Sequence, residues 1–148
     1  MKYHKIDSKL FVKNRNNFMS RMKKNSIAFF NSNDIYPVSA DSTLPFEQHR
    51  DIFYLSGVDQ EESVLMLCPY ASNPNHREVL FLKETDDHIA VWEGPKLNKQ
   101  QAYETSGVKS VYWLDEIEKI IDEVANECDT IYYNHNEHYR AKIEMETR

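Results

Sequence analysis

Glycine is scarce in this chain of 148 residues, which has it only at positions 57, 94 and 107. A phosphate-binding loop needs closely spaced glycines, because the backbone must approach the phosphate groups without an intervening side chain. The scarcity therefore argues against the common nucleotide-binding enzymes. With only five prolines as well, the chain has little sequence for a flexible linker, and its length fits one domain.

Long apolar runs and excess positive charge are also lacking. No run of about eighteen apolar residues occurs, so no membrane-spanning helix is predicted. The start, MKYHKIDSKLF, has no apolar core of a secretory signal, and the cytoplasm is the expected compartment. The formal net charge of −6 disfavours a nucleic-acid partner. The one basic cluster runs from Lys13 to Lys24 with Arg15 and Arg21, and we expect it to form the solvent-facing side of a helix.

Cysteine occurs only twice, as Cys68 and Cys128. Each residue adjoins strand-like apolar sequence, which favours two buried thiols over a disulfide framework.

Helical and strand patterns alternate along the chain. Helices are predicted at 7–23, 98–107, from 115 onward and from 137 to the carboxyl terminus, and strands at 26–30, 52–56, 63–68, 77–83, 111–113 and 130–133. Capping is expected from Asp7 or Ser8, from Asn98 with Gln101, and from Asp115 with Glu118. Residues 31–45 are predicted as loop and 69–76 as a hairpin link. These patterns predict an α/β domain with a mixed, largely buried sheet flanked by helices.

Three local groups could carry chemistry, but none is convincing. In the run from His135 to His138, which includes Glu137, the two histidines are three residues apart and could face one way on a helix, yet no third ligand at a suitable spacing supports a metal site. The run Asp86-Asp87-His88 has no partner nucleophile and is typical of a hairpin tip. Cys128 has no flanking sequence of a thiol nucleophile. No catalytic or metal-binding residue is therefore assigned.

Trp92 is the most informative single residue. A tryptophan at a strand end is more often a core residue, but Trp92 stands before the turn Glu93-Gly94-Pro95. A rigid aromatic ring at the edge of a turn is a good binding surface, and a flat indole can stack on a proline ring.

Three segments together resemble a known family. They are PFEQHRDIFYLSGVDQEESVLML (45–67), VLFLKETDDHIAVWEGPKL (79–97) and SGVKSVYWLDEI (106–117). In this order, and with the early helix and strand, they resemble the amino-terminal domain of Xaa-Pro aminopeptidases (aminopeptidase P), within the creatinase and prolidase family. One position departs from the pattern, because many relatives carry Arg where this chain has Glu47, with Arg50 nearby.

The resemblance implies a single domain over residues 1–148, with a creatinase-type fold that contains a ribonuclease H-like motif. It also implies a carboxyl-terminal "pita-bread" catalytic domain, absent from this chain. That domain would hold two divalent metal ions, manganese, through two Asp, one His and two Glu. The intact enzyme would release the first residue from peptides whose second residue is proline, whereas this chain alone is expected to be inactive and to hold no cofactor.

The resemblance further implies a homo-oligomer in which Trp92 reaches the substrate site of a neighbouring subunit. The expected partners are therefore proline-containing peptides, the chain's own catalytic domain and further copies of the protein, with no nucleic acid and no membrane. Three alternatives stay open: a stand-alone α/β binding or assembly domain, the amino-terminal domain of a prolidase- or creatinase-like relative, and, as a distant third, a self-contained hydrolase that uses His135, Glu137 and His138.

Overall fold

A five-stranded mixed sheet forms the centre of the computed structural model, which describes residues 4–86 and 96–135. The strands of the described residues, in chain order, are β1 Ser26–Asn31, β2 Pro37–Ser39, β3 Ser42–Thr43, β4 Ser63–Leu67, β5 Glu78–Leu82, β6 Ser110–Trp113 and β7 Thr130–Tyr133. Strands β2 and β3 form a separate hairpin, and the other five form the large sheet. The large sheet has the order β6-β5-β4-β1-β7. Its inner strands β1, β4 and β5 pair antiparallel, and the outer pairs β5–β6 and β1–β7 are parallel. The predicted mixed sheet is confirmed.

Helices cover both faces of this sheet. They are α1 Ser8–Met19, α2 Arg50–Ser56, α3 Lys99–Ser106 and α4 Ile117–Ala125. The first three pack on one face, where Ile52 and Ala102 meet Leu65 from the sheet. On the other face, Ile120 of α4 meets Phe81. Successive strand residues point to opposite faces, so β4 and β5 bury side chains on both sides, as their continuous apolar character predicts.

The predicted caps are confirmed for two helices and wrong for a third. Asp7 accepts a hydrogen bond from the backbone N–H of Lys9 at 2.9 Å and starts α1, which ends at Met19, four residues earlier than predicted. Asn98 and Gln101 form the predicted reciprocal cap of α3.

Helix α4 begins differently from the prediction. A 3-10 turn at Leu114–Glu116 precedes it, and Glu116 Oε2 accepts from the backbone N–H of Trp113 at 2.9 Å. The reciprocal pair expected between Asp115 and Glu118 is therefore not the cap, because the extra turn moves the start of the helix to Ile117.

Residues 52–56, predicted as a strand, form most of helix α2. Ile52 and Leu55, three residues apart, are buried, whereas Tyr54 between them is 58% exposed, which is helical rather than strand periodicity. Gly57 ends the helix in the left-handed conformation, with φ of +70°. The aromatic and apolar composition favours a strand, but the segment is a helix because its buried residues lie on one helical face.

The segment 31–45 is also more ordered than predicted. Within it, β2 and β3 pair antiparallel as a small, fully exposed hairpin. Its turn includes Ala40, whose φ of +47° is unusual for a residue with a side chain. The hairpin was missed because its strands have only three and two residues.

Candidate functional site

The polar side chains of segment 45–67 fix the connection between helix α2 and strand β4. The Gln48 side chain donates from Nε2 to the backbone carbonyls of Val58 at 3.1 Å and Gln60 at 2.8 Å. The Ser63 hydroxyl also donates to the carbonyl of Gln60, at 2.8 Å. Because Gln48 precedes the helix and Gln60 follows it, these bonds close the segment on itself.

Residues 60–62, here called the anchoring turn, bind two separate parts of the chain. Lys83, just after β5, donates its backbone N–H to the carbonyl of Glu62 at 3.1 Å, and its Nζ lies 3.0 Å from Glu62 Oε2. Leu97, just before α3, donates its backbone N–H to Gln60 Oε1 at 2.8 Å. The strand end before residue 92 and the helix start after it are thus tied to one turn.

An ion pair between Lys96 and Glu61 is a fourth contact of the anchoring turn. The Lys96 side chain is only 6% exposed and that of Glu61 is 21% exposed, so solvent screens the pair weakly. Partial burial alone would raise the pKa of Glu61. The hydrogen bond to Lys96, aided by the charges of Lys96 and Lys83, outweighs burial and holds that pKa below its ordinary value. Glu61 therefore stays ionised at neutral pH.

Trp92, the residue predicted to form a binding surface, lies outside the described residues, as do Glu93, Gly94 and Pro95. The structure shows instead that the residues on either side of this stretch are held by the anchoring turn. The second segment of the resemblance ends at Lys96 and Leu97, which bind the anchoring turn of the first segment. The third segment begins at Ser106, the last residue of helix α3.

Arg15 is a structural residue that the sequence interpretation placed wrongly. It was assigned to a solvent-facing basic cluster, yet its exposure is 0%, whereas Lys13, Arg21 and Lys24 are exposed as predicted. The available signal was its position four residues after the buried Phe11, on the apolar stripe of α1.

The guanidinium of Arg15 joins all three helices of its layer. Nη1 donates to the carbonyl of Leu55 at 2.7 Å and to that of Ser106 at 2.9 Å, at the ends of α2 and α3. Nε donates to Glu78 Oε2 at 3.2 Å. Burial lowers the pKa of Arg15, and the charge and hydrogen bond of Glu78 oppose that change.

The weaker chemical candidates gain no support from the described residues. His135 is exposed, while Glu137 and His138 lie outside the described part. Asp86 is exposed, and Asp87 and His88 likewise lie outside it. Cys128 contacts another thiol, that of Cys68, rather than a histidine.

The described ranges contain neither a cluster of metal ligands nor a membrane-spanning helix. Within residues 4–86 and 96–135, no three His, Cys, Asp or Glu side chains stand close enough together to share a metal ion. The same ranges contain no helix with the length and apolarity to cross a bilayer.

A groove of about 400 Å³ lies between α1 and the connection from β4 to β5. Its lining includes Val12, Met19 and Pro74, with Arg77, Glu78 and Lys109 supplying charge. A lining with a single carboxylate does not form a hydrolytic metal site, which needs several converging ligands.

Comparison with known proteins identifies the family of the chain. The profile of "Aminopeptidase P, N-terminal domain" matches residues 11–132. Human Xaa-Pro aminopeptidase 3 is 29% identical over 105 residues, which cover 70% of this chain and 21% of that protein. The Xaa-Pro aminopeptidase of Escherichia coli is 28% identical over 138 residues, which cover 93% of this chain and 31% of that protein.

Solved structures agree with the fold. A structure described as a putative aminopeptidase P from Bacillus anthracis superposes with a TM-score of 0.83 at 24% identity, over 95% of this chain and 34% of that chain. Zinc-substituted Escherichia coli aminopeptidase P in complex with product superposes with a TM-score of 0.78 at 27% identity, over 93% of this chain and 31% of that chain. The chain thus spans a fifth to a third of the length of these proteins.

Proposed function

The chain belongs to the family of aminopeptidase P amino-terminal domains, and from that membership we propose that it is the non-catalytic domain of a Xaa-Pro aminopeptidase. The observation that carries the proposal is the family match over residues 11–132, joined to the same fold. In this proposal residues 1–148 form one domain, and a separate carboxyl-terminal domain performs the hydrolysis of peptides with proline second.

In this proposal the metal chemistry belongs to the catalytic domain. Metal-assisted hydrolysis requires converging carboxylate and imidazole ligands, and residues 4–86 and 96–135 bring no such set together. We assign the two divalent ions, manganese in our proposal, to the catalytic domain. A reading frame that continues past Arg148 with two Asp, one His and two Glu ligands would agree with this assignment.

We assign two tasks to the domain: shaping the mouth of a substrate site and assembling subunits in a cytoplasmic homo-oligomer. For the first task, Trp92 would contact the proline-containing peptide in the site of a neighbouring subunit. The anchoring turn supports this role, because its bonds to Lys83, Lys96 and Leu97 fix the chain on both sides of that stretch. Fixed flanking residues lower the conformational entropy lost when a side chain binds its ligand.

Replacing Trp92 tests the first task. In the full-length enzyme, Trp92→Ala is expected to lower kcat/KM for a Xaa-Pro peptide about tenfold, because a buried aromatic contact contributes on the order of 1–2 kcal/mol. Metal content measured by atomic emission should remain that of the unsubstituted enzyme.

Tyr103→Ala is the matched control, because Tyr103 is an aromatic residue of α3 that is 42% exposed. It should leave kcat/KM unchanged. Unchanged kinetics in Trp92→Ala would remove Trp92 from the substrate site. A mass from light scattering that equals one subunit would remove the assembly task.

A further inference from the structure

The two cysteines of the chain, far apart in sequence, are neighbours in the structure. Cys68 directly follows strand β4, and Cys128 lies between helix α4 and strand β7. Their Sγ atoms are 3.4 Å apart across a sequence separation of 60 residues, and both are free. The two sulfur atoms need to approach by about 1.4 Å to reach the bonding distance of a disulfide.

Two further contacts near the thiol pair, Cys68 and Cys128, already hold the two chain segments together. The backbone N–H of Ser72 donates to Glu127 Oε2 at 2.7 Å. His76 Nε2 lies 3.6 Å from Glu123 Oε2. Both contacts join the β4–β5 connection to the end of α4, so most of the entropy that a cross-link would cost is lost already when the protein folds.

The two thiols differ in accessibility. Cys68 is 0% exposed, whereas Cys128 is half-buried. Burial, followed by the hydrogen bond to Cys128 and the charges of Cys128 and Glu127, raises the pKa of Cys68 to about 12. Cys68 therefore remains a thiol at neutral pH, and Cys128 is the residue that a dissolved oxidant can meet first.

We propose that Cys68 and Cys128 form a reversible intramolecular disulfide when the protein meets a peroxide. In the first step the Cys128 sulfur attacks one oxygen of the peroxide, the O–O bond breaks, and the departing hydroxide takes the thiol proton to become water. Cys128 is then a sulfenic acid, oxidised by two electrons.

The second step uses the neighbouring thiol. The Cys68 sulfur attacks the sulfur of Cys128, the S–O bond breaks, and the departing hydroxide takes the Cys68 proton as a second water. Two thiols and one hydrogen peroxide thus give one disulfide and two waters. A dithiol reductant restores both thiols by exchange.

The disulfide would clamp the end of β4 to the connection between α4 and β7. Closing a loop of this length restricts the unfolded chain, so the oxidised protein should be the more stable form. This inference does not depend on the proposed peptidase function, because it concerns the internal chemistry of the domain.

The test is oxidation of the purified chain with hydrogen peroxide, followed by intact mass under non-reducing conditions and by thermal unfolding. We expect a monomer lighter by about 2 Da and a melting temperature higher by about 10 °C, both reversed by dithiothreitol. Cys128→Ser should abolish the mass change and the gain in melting temperature while leaving the melting temperature of the reduced form nearly unchanged.

Three outcomes would overturn the inference. They are a monomer that keeps both thiols, disulfide-linked dimers in place of the monomeric cross-link, and a Cys128 that gains oxygen atoms without bonding to Cys68. Each is read directly from the mass of the unsubstituted protein, so the result does not depend on whether a cysteine variant folds.

Discussion

Arg15 connects the carboxyl ends of two helices and one carboxylate from a buried position in a third helix. Its hydrogen bonds to the carbonyls of Leu55 and Ser106 satisfy acceptors that lack partners in their own helices. Its charge is balanced by Glu78, whose side chain is 25% exposed. A buried cation with several partners is costly to disturb, because the two carbonyls lose their donor while remaining buried, and the carboxylate loses its counter-charge.

Arg15→Met is expected to destabilise the fold by about 3 kcal/mol, since it leaves two buried carbonyls and one carboxylate without their donor. Urea unfolding followed by circular dichroism measures this loss. Arg21→Met is the matched control, because Arg21 is exposed in the turn after α1, and it should change stability by less than about 0.5 kcal/mol. Equal losses of stability in the two variants would show that the hydrogen bonds of Arg15 to the other two helices do not stabilise the fold.

Single residues were the hardest scale to predict from sequence. The capping role of Asn98 could be predicted, because its bonds are local and repeat a known pattern. The role of Arg15 could not, because its partners lie 40 to 91 residues away. The proximity of Cys68 and Cys128 could not be predicted either, since sequence spacing does not determine which thiols are close together in the folded protein.

Helices α2 and α3 end in the same way, with the sequence Ser-Gly-Val. In each, the serine hydroxyl donates to the carbonyl four residues earlier at 2.7 Å and accepts from the valine N–H. The glycines, Gly57 and Gly107, have φ of +70° and +73°. The second copy was predicted as a helix end and the first was not, although the same signal was present. The sequence Ser-Gly-Val at residues 56–58 thus predicts the secondary structure of the preceding residues better than their aromatic composition does.

The close approach of α1 makes both glycines necessary. A methyl group on Gly57 would lie 2.3 Å from a ring carbon of Phe11, and one on Gly107 would lie 2.6 Å from Val12 Cγ2. Gly57→Ala and Gly107→Ala are each expected to cost about 2 kcal/mol or more, from the left-handed backbone and the overlap together.

Thermal unfolding of the glycine variants measures this cost, and Ala40→Gly is a control in the opposite direction. Ala40 has φ of +47° in the exposed hairpin. Glycine there removes backbone strain from the folded state but raises the conformational entropy of the unfolded chain, and these two effects on stability oppose each other. Its stability should change by less than about 0.5 kcal/mol. Melting temperatures unaffected by Gly57→Ala would contradict the packing of α1 on that helix end.

At the scale of the whole molecule, the alternation of helical and strand patterns was sufficient to predict the mixed sheet and its two helical layers. The strand order β6-β5-β4-β1-β7 was not predicted, because pairing depends on contacts between distant segments. Trp92 stays a prediction. The domain has the fold of the amino-terminal part of aminopeptidase P and, among its described residues, no set of metal ligands. That it is one part of a larger hydrolase is our proposal from the family match.

The most direct measurement compares hydrolysis of a Xaa-Pro peptide by the purified 148-residue chain and by the full-length protein, both supplied with manganese. We expect the full-length protein to release the first residue and the isolated chain to release none above background. Cleavage by the isolated chain, or a full-length protein that leaves Xaa-Pro bonds intact, would contradict it.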